Sequence, residues 1–412
     1  MAFNLKVAWI NKHHEELSAD HELEDKKPSI AIRPTSETII YPVAKNWVQT
    51  YRDLPIKVNQ WCNIVRWELR DPTPFIRSRE FLWQEGHTFY EKKEHADQEV
   101  YDILEIYRKI YEEVLLVPVI KGIKTETEKF CGADYTTTVE TFIAECGKAI
   151  QAATSHSLGQ NFSKIFDIKY YDDRGKNNDN FVWQNSWGFS TRAIGIMLMV
   201  HSDNIGLVLP PKVAPIQIVI VTAEHEKYTE FNQKMQNYID NMVKILAKYR
   251  VHVDRRMDRI GFKYNFWEVR GIPVRIDMGA KEMKSNILTL FRRDTLQKVK
   301  IPLDDLSVTV DHMFAEIESN MYSTARNRME KCRLYTENDQ EFVEKIGRNM
   351  METPFCGDRK CEDIVCERVK SIQNFSIKTL CMPLKDKNDD LLRKCIGCHR
   401  LSSSRCLWGR SF

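Results

Sequence analysis

Residues 66–87 read RWELRDPTPFIRSREFLWQEGH, and this stretch restricts the fold more than any other in the chain. Four arginines, four carboxylates, two tryptophans and a histidine leave little room for aliphatic filler. Unpaired charge of this density cannot enter a core, while an exposed loop rarely uses two indoles. In an extended chain Arg66 and Glu68 share a face. After the turn at Asp71-Pro72-Thr73-Pro74, the residues Arg79, Phe81, Trp83, Glu85 and His87 share one face of the returning strand. Such a hairpin suits a zwitterionic or polyanionic ligand, because arginine forks grip phosphate or carboxylate and carboxylates hold an ammonium. A solvated, salt-bridged hairpin is the alternative reading of the same residues.

The rest of the chain sets the frame. Its 412 residues suffice for two or three domains. A net charge of +3 neither requires nor excludes a nucleic-acid partner. The N-terminus has no basic-then-apolar leader, and no apolar run reaches the length of a membrane span. The 11 cysteines are therefore expected to be reduced, in a cytoplasmic protein.

Three blocks are legible. Residues 1–212 carry period-2 stretches such as FLWQEGHTF, a helical pattern from His95 to Val117, and QNSWGFSTRAIGIMLMVHSDN, which reads as strand, glycine turn and apolar helix. The Pro210-Pro211 pair ends this block. Residues 213–310 alternate buried strands (IQIVIVTA, VHVDRR, PVRIDMG, ILTLFRRD) with an amphipathic helix, which predicts an α/β domain with a partly parallel sheet. Residues 311–412 read as a helical linker followed by a Cys-rich tail.

The hairpin sequence resembles motif 2 of the class II aminoacyl-tRNA synthetases. Together with IAIRPTSETIIYP (30–42), GADYTTTVETF (132–142), TSHSLGQNFSKIFDI (154–168) and QNSWGFSTRAIG (184–195), it resembles the prolyl-tRNA synthetases of the eukaryotic and archaeal type over nearly the whole chain. The resemblance implies a multidomain α/β and α+β fold. Its parts are a class II antiparallel-sheet catalytic domain, an α/β anticodon-binding domain and a C-terminal zinc-binding-type α/β module. It also implies an ATP-dependent, Mg2+-assisted proline–tRNA ligase whose partners are L-proline and tRNA(Pro).

Carried over by motif, Arg66 and Arg192 match the catalytic arginines. Arg66, Glu68, Arg77, Ser78, Gln151, Thr154 and Arg192 match ATP-binding positions, and Thr35, Glu37, Arg66, Trp83, Glu85, His87, Phe130 and His156 match proline-binding positions. The carboxylate of proline is itself a nucleophile, so positioning and preorganised positive charge would supply the rate without a general base. Ala152 and Ala153 stand where the family often has glycine. In the second block Arg255, Arg256, Arg259, Lys263, Tyr264, Phe266 and Trp267 mix cations with aromatics, a combination suited to an unpaired anticodon loop.

Only about 30 residues precede the TSET segment, where the family has a longer stretch that includes motif 1. The homodimer that the resemblance implies is therefore expected to be weakened. A catalytically weak or inactive relative acting as an RNA-binding or regulatory protein is the second reading. In the tail, CGDRKC and CIGCH form a C-x4-C and a C-x2-C, and Cys356, Cys361, Cys395 and Cys398 are the candidate ligands of a structural Zn2+. Cys366, Cys381, Cys406 and His399 are rivals for those places.

Overall fold

The computed structural model describes residues 7–10, 30–67, 72–172, 180–223, 229–384 and 391–412. Glu68 and Asp71 of the hairpin lie outside the described residues, as does Tyr228, the first apolar position read for the second block's amphipathic helix. The chain forms two compact units. One takes the chain through Arg108 with Val119–Ile196 and Cys332–Phe412; the other takes Lys109–Pro118 with Met197–Lys331.

The first unit is built on a ten-stranded sheet. Its strands in chain order are β1 (Ile56–Val65), β2 (Glu80–Tyr90), β3 (Ile120–Ile123), β4 (Tyr135–Ile143), β5 (Lys148–Gly159), β6 (Trp183–Ser190), β7 (Arg333–Tyr335), β8 (Met350–Pro354), β9 (Lys378–Pro383) and β10 (Arg405–Gly409). Across the sheet they run β7-β8-β10-β9-β3-β4-β5-β6-β2-β1. Every neighbouring pair is antiparallel except β7 with β8.

The burial of each strand follows its composition. β1 alternates exposed and part-buried residues along IKVNQWCNIV, as expected of a strand with one face in water. β4 and β5 are buried nearly throughout, being covered on both faces. Helix α1 (Glu37–Ala44) packs Tyr41 against Phe89, Leu158 and Val182. Two further helices are α2 (Lys93–Lys109) and α3, which begins at Arg192 and runs to His201.

The Cys-rich segment does not stand apart from this unit. β9 pairs with β3 in the register Met382↔Ile123 and Pro383↔Gly122, which makes β9 and its neighbour β10 a continuation of the sheet. Compactness thus groups the chain differently from the three consecutive blocks read in the sequence. Strand pairing is the reason, because it joins segments about 250 residues apart more tightly than chain order does. Helix α4 (Arg359–Gln373) buries Cys361 and Val365 in a second core with Phe342, Phe355 and Trp408.

In the second unit, strand Ile218–Thr222 lies parallel to Val251–Asp254 and to Val274–Met278, and two antiparallel strands, Ile287–Arg292 and Lys298–Pro302, complete a five-stranded sheet. The expected partly parallel sheet is present. Met235 and Met242 of helix Thr229–Ile245 are buried, and so is the inner face of helix Leu306–Lys331. The mixed surface read from residues 255–267 is only partly a surface. Lys263 is buried and donates to the carbonyls of Thr222 (2.8 Å) and Asp254 (3.3 Å), and Trp267 is buried with its indole N–H on Asp254 at 2.7 Å. Buried polar groups must find partners, and these two have them within the core.

Candidate active site

A cavity of about 260 Å³ opens on the face of the sheet formed by β2, β4, β5 and β6. Thr35, Glu37, Arg66, Trp83, Glu85, Phe130, Gln151, Thr154, His156 and Arg192 all line it, so candidate residues from four separate motifs, with Phe130 and Gln151 beside them, converge on one space. The antiparallel registers explain the convergence. β6 pairs Ser186 with His87 on one side and with His156 on the other, and Gly188 with Glu85 and Thr154. Side chains two apart on each strand therefore point to the same face.

The candidates outside this lining are as informative as those within it. His87 is 1% exposed and lies behind the wall, with Nε2 at 3.3 Å from Glu85 and Nδ1 at 3.1 Å from the hydroxyl of Tyr41. It reaches the cavity through Glu85, to which it is bonded. Arg77 donates to the backbone oxygen of Phe412 at 2.8 Å and is not part of the lining, and Ser78 beside it is half-buried outside the lining. Glu68 falls outside the described residues.

Glu85 is the best-held anion of the cavity. Ser36, which precedes α1, and Gln60 on β1 both donate to its Oε1. Burial alone would raise its pKa, but hydrogen bonds from His87 and Ser36 and the charge of His87 outweigh burial and hold it below the ordinary carboxylate value. Thr35 donates to Glu37, the first residue of α1. The helix N-cap is Ser36, and its side chain makes no capping bond. The TSET segment thus turns its side chains toward the cavity instead of closing the helix end.

The arginines are fixed by backbone. Arg66 Nε donates to the Pro34 carbonyl at 3.2 Å, and its guanidinium lies 5.4 and 5.6 Å from the rings of Phe81 and Trp83. Arg192, opening α3, donates to the carbonyls of Ile76 (3.0 Å) and Gln151 (3.1 Å). His156 is held by Thr136 (2.9 Å) and Thr154 (3.1 Å), and its ring lies 4.6 Å from that of Phe130. Burial, and then the charges of Arg66 and His87, push its pKa down to about 3, so it is a neutral wall at physiological pH. Trp187 lies flat over Gly86, where a Cβ would fall 2.2 Å from the indole; only glycine admits that approach.

Several residues joined the site without being singled out in the sequence. Ser36 and Gln60 hold Glu85, while Lys124, Glu128, Thr136 and Trp187 form parts of the wall. Ser36 could have been found, since it sits inside TSET. Gln60 could not, because nothing in a half-exposed strand marks one polar residue above its neighbours.

The tail cysteines also come together. The sulfurs of Cys356, Cys361, Cys395 and Cys398 lie within 4.8 Å of one another, with Cys356 3.5 Å from Cys361 and 3.9 Å from Cys398. Four sulfurs about 2.3 Å from a tetrahedral Zn2+ would stand roughly 3.8 Å apart, so the donor set fits. Hydrogen bonds from Arg400 pull the Cys398 thiol down to about 6, toward the thiolate that a metal requires. The rival Cys366 is turned to the Ile377 carbonyl instead.

Comparison with known proteins agrees with this geometry. Residues 20–201 match the family described as tRNA synthetase class II core domain (G, H, P, S and T), residues 217–312 match the anticodon binding domain, and residues 340–412 match the prolyl-tRNA synthetase C-terminal domain. The proline–tRNA ligase of Encephalitozoon cuniculi is 44% identical over 425 residues, spanning 100% of this chain and 82% of that protein. The chain belongs to the prolyl-tRNA synthetases. The cytoplasmic proline–tRNA ligase of Arabidopsis thaliana is 41% identical, with 100% of this chain and 76% of that protein covered. A crystal structure of the prolyl-tRNA synthetase from Cryptosporidium parvum, complexed with L-proline and AMP, superposes with a TM-score of 0.89 at 40% identity, covering 99% of this chain and 81% of that one. As in that family, the chain carries a class II antiparallel-sheet domain, an anticodon-binding domain and a C-terminal module.

Proposed function

We propose that this chain is a cytoplasmic proline–tRNA ligase that activates L-proline with ATP and transfers it to tRNA(Pro), and that the cavity between β2, β5 and β6 is where activation occurs. The observation that carries the reading is the pairing of a buried, anionic Glu85 with apolar and aromatic walls and two backbone-fixed arginines in one space. Proline offers a secondary ammonium, a carboxylate and an apolar ring, and the cavity has a partner for each.

In this reading Glu85, Thr35 and Glu37 hold the ammonium, while Trp83, Phe130 and His156 enclose the ring, with His87 orienting Glu85 from behind. Arg66 faces both proline and ATP. Arg66 and Arg192 spread the charge that develops as the carboxylate attacks the α-phosphorus and pyrophosphate leaves. Because their guanidinium groups are already anchored to carbonyls, little reorganisation is needed at that moment. Gln151 and Thr154 border the nucleotide, with Arg77 and Ser78 at its outer edge. A bound Mg2+ would neutralise phosphate charge. No side chain is asked to remove a proton.

Exposed Arg255, Met257, Arg259 and Phe262 of the second unit, with half-buried Arg256, are the proposed contact with the anticodon. The guanidinium of Arg256 lies 4.0 Å from the ring of Phe266. Exposed Trp61 (78%) and Leu82 (62%) on β1 and β2 are the proposed contact for a second copy in a homodimer. Cys356, Cys361, Cys395 and Cys398 would hold a structural Zn2+, stapling a segment whose own core is small. Incubating the protein with labelled proline, ATP, Mg2+ and tRNA(Pro) tests the reading. Label is expected on the tRNA, and its absence with folded protein would refute the proposal.

A further inference from the structure

The wall of the cavity at residues 124–130 is tied to a distant strand. The ammonium of Lys124 lies 2.7 Å from the Glu140 carboxylate and donates to the Leu380 carbonyl on β9 at 2.7 Å, and both charged side chains are buried. Burial by itself would lower the pKa of Lys124, but the charge of Glu140 outweighs it and holds the group above its ordinary value, so it is a cation. Thr125 and Thr379 place their hydroxyl oxygens 3.0 Å apart, and Thr379 donates to Glu362 on α4 at 2.8 Å. Nearer the surface Lys378 pairs with Glu128 at 3.2 Å. Below these ties, β3 and β9 approach so closely at Gly122 that a Cβ there would fall 2.5 Å from the Cys381 sulfur. The seam therefore has a backbone reason as well as side-chain ones.

We infer that Lys124 and Thr125 are positioning residues of the amino-acid pocket: by fastening the 124–130 wall to β9 they hold Phe130 and Glu128 at the ligand, which makes β9 a working part of that pocket. The inference rests on the proline reading above. A ring-shaped ligand is selected by the placement of its walls, and a displacement of under an ångström weakens binding without altering the reacting groups. Loosening the seam should accordingly act on proline and spare ATP.

Lys124→Met alone leaves the Glu140 carboxylate buried and unpaired, which destabilises a fold for reasons unrelated to the pocket. The informative variant is therefore Lys124→Met combined with Glu140→Gln, and Thr379→Val, with Thr379→Ser as its conservative control, is the second. Each is assayed by thermal melting and by proline-dependent exchange of pyrophosphate into ATP. In the folded double variant KM for proline should rise about tenfold, with kcat and KM for ATP within about twofold of wild type. Thr379→Val should raise the same KM by a smaller factor, and Thr379→Ser should restore it. Unchanged KM for proline in the folded variants, or an equal rise in both KM values, overturns the inference. A folded wild type without exchange overturns the proline reading beneath it.

Discussion

Ser36, at the N-cap of α1, donates its hydroxyl proton to the carboxylate of Glu85 on β2, although 49 residues separate them. This bond replaces the capping interaction a serine would normally make at that position. It leaves Glu85 anionic, so a helix end tunes a carboxylate of the cavity.

Glu85→Gln should raise KM for proline at least tenfold while KM for ATP changes by less than about threefold, because a carboxamide cannot neutralise the secondary ammonium. The pH dependence follows from the direction of the shift. Since Glu85 titrates below its unfolded value, its contribution is complete above the ordinary carboxylate pKa of about 4.3 and is lost as pH falls through the lower folded value. Proline affinity measured by calorimetry should therefore be flat from pH 8 down to about 5.5 as far as Glu85 is concerned. A loss already complete at pH 6 would contradict this assignment.

Arg192→Ala should lower the exchange rate by roughly 100- to 1000-fold, the usual size of a preorganised charge contribution. Affinity for tRNA(Pro), measured by filter binding, should stay within about twofold, because Arg192 lies in the cavity and not among the second unit's exposed cations. Equal loss of both would indicate that Arg192 serves the fold, through its bonds to Ile76 and Gln151, and not the chemistry.

Purified protein should contain about one zinc per chain, and Cys398→Ser should lose it and lower the melting temperature by several degrees. Elemental analysis and differential scanning calorimetry check both points. Metal-free wild type purified without chelator would end the zinc assignment.

Much of this was legible in the sequence because it is local. Alternation along 79–87 put Trp83, Glu85 and His87 on one face, and the strand–turn–helix pattern at 184–201 matches β6 and α3. The partly parallel sheet of the second block was equally plain from its buried strands. What was not legible depends on pairing between distant segments. Nothing at Lys124 announces Leu380, and nothing at Ser36 announces Glu85. Lys263 and Trp267 read as RNA-facing because a lysine near aromatics looks like a surface, and only the fold shows Asp254 and the Thr222 carbonyl waiting in the core. His87 shared that face yet is buried outside the cavity lining, a distinction that face periodicity does not carry.

The central claim is that the cavity activates proline. Its most direct test is exchange of labelled pyrophosphate into ATP by this chain with each amino acid in turn, on protein shown to be folded by calorimetry. The account predicts exchange that saturates with proline and is lost in Arg192→Ala. No proline-dependent exchange from folded wild-type protein would contradict it.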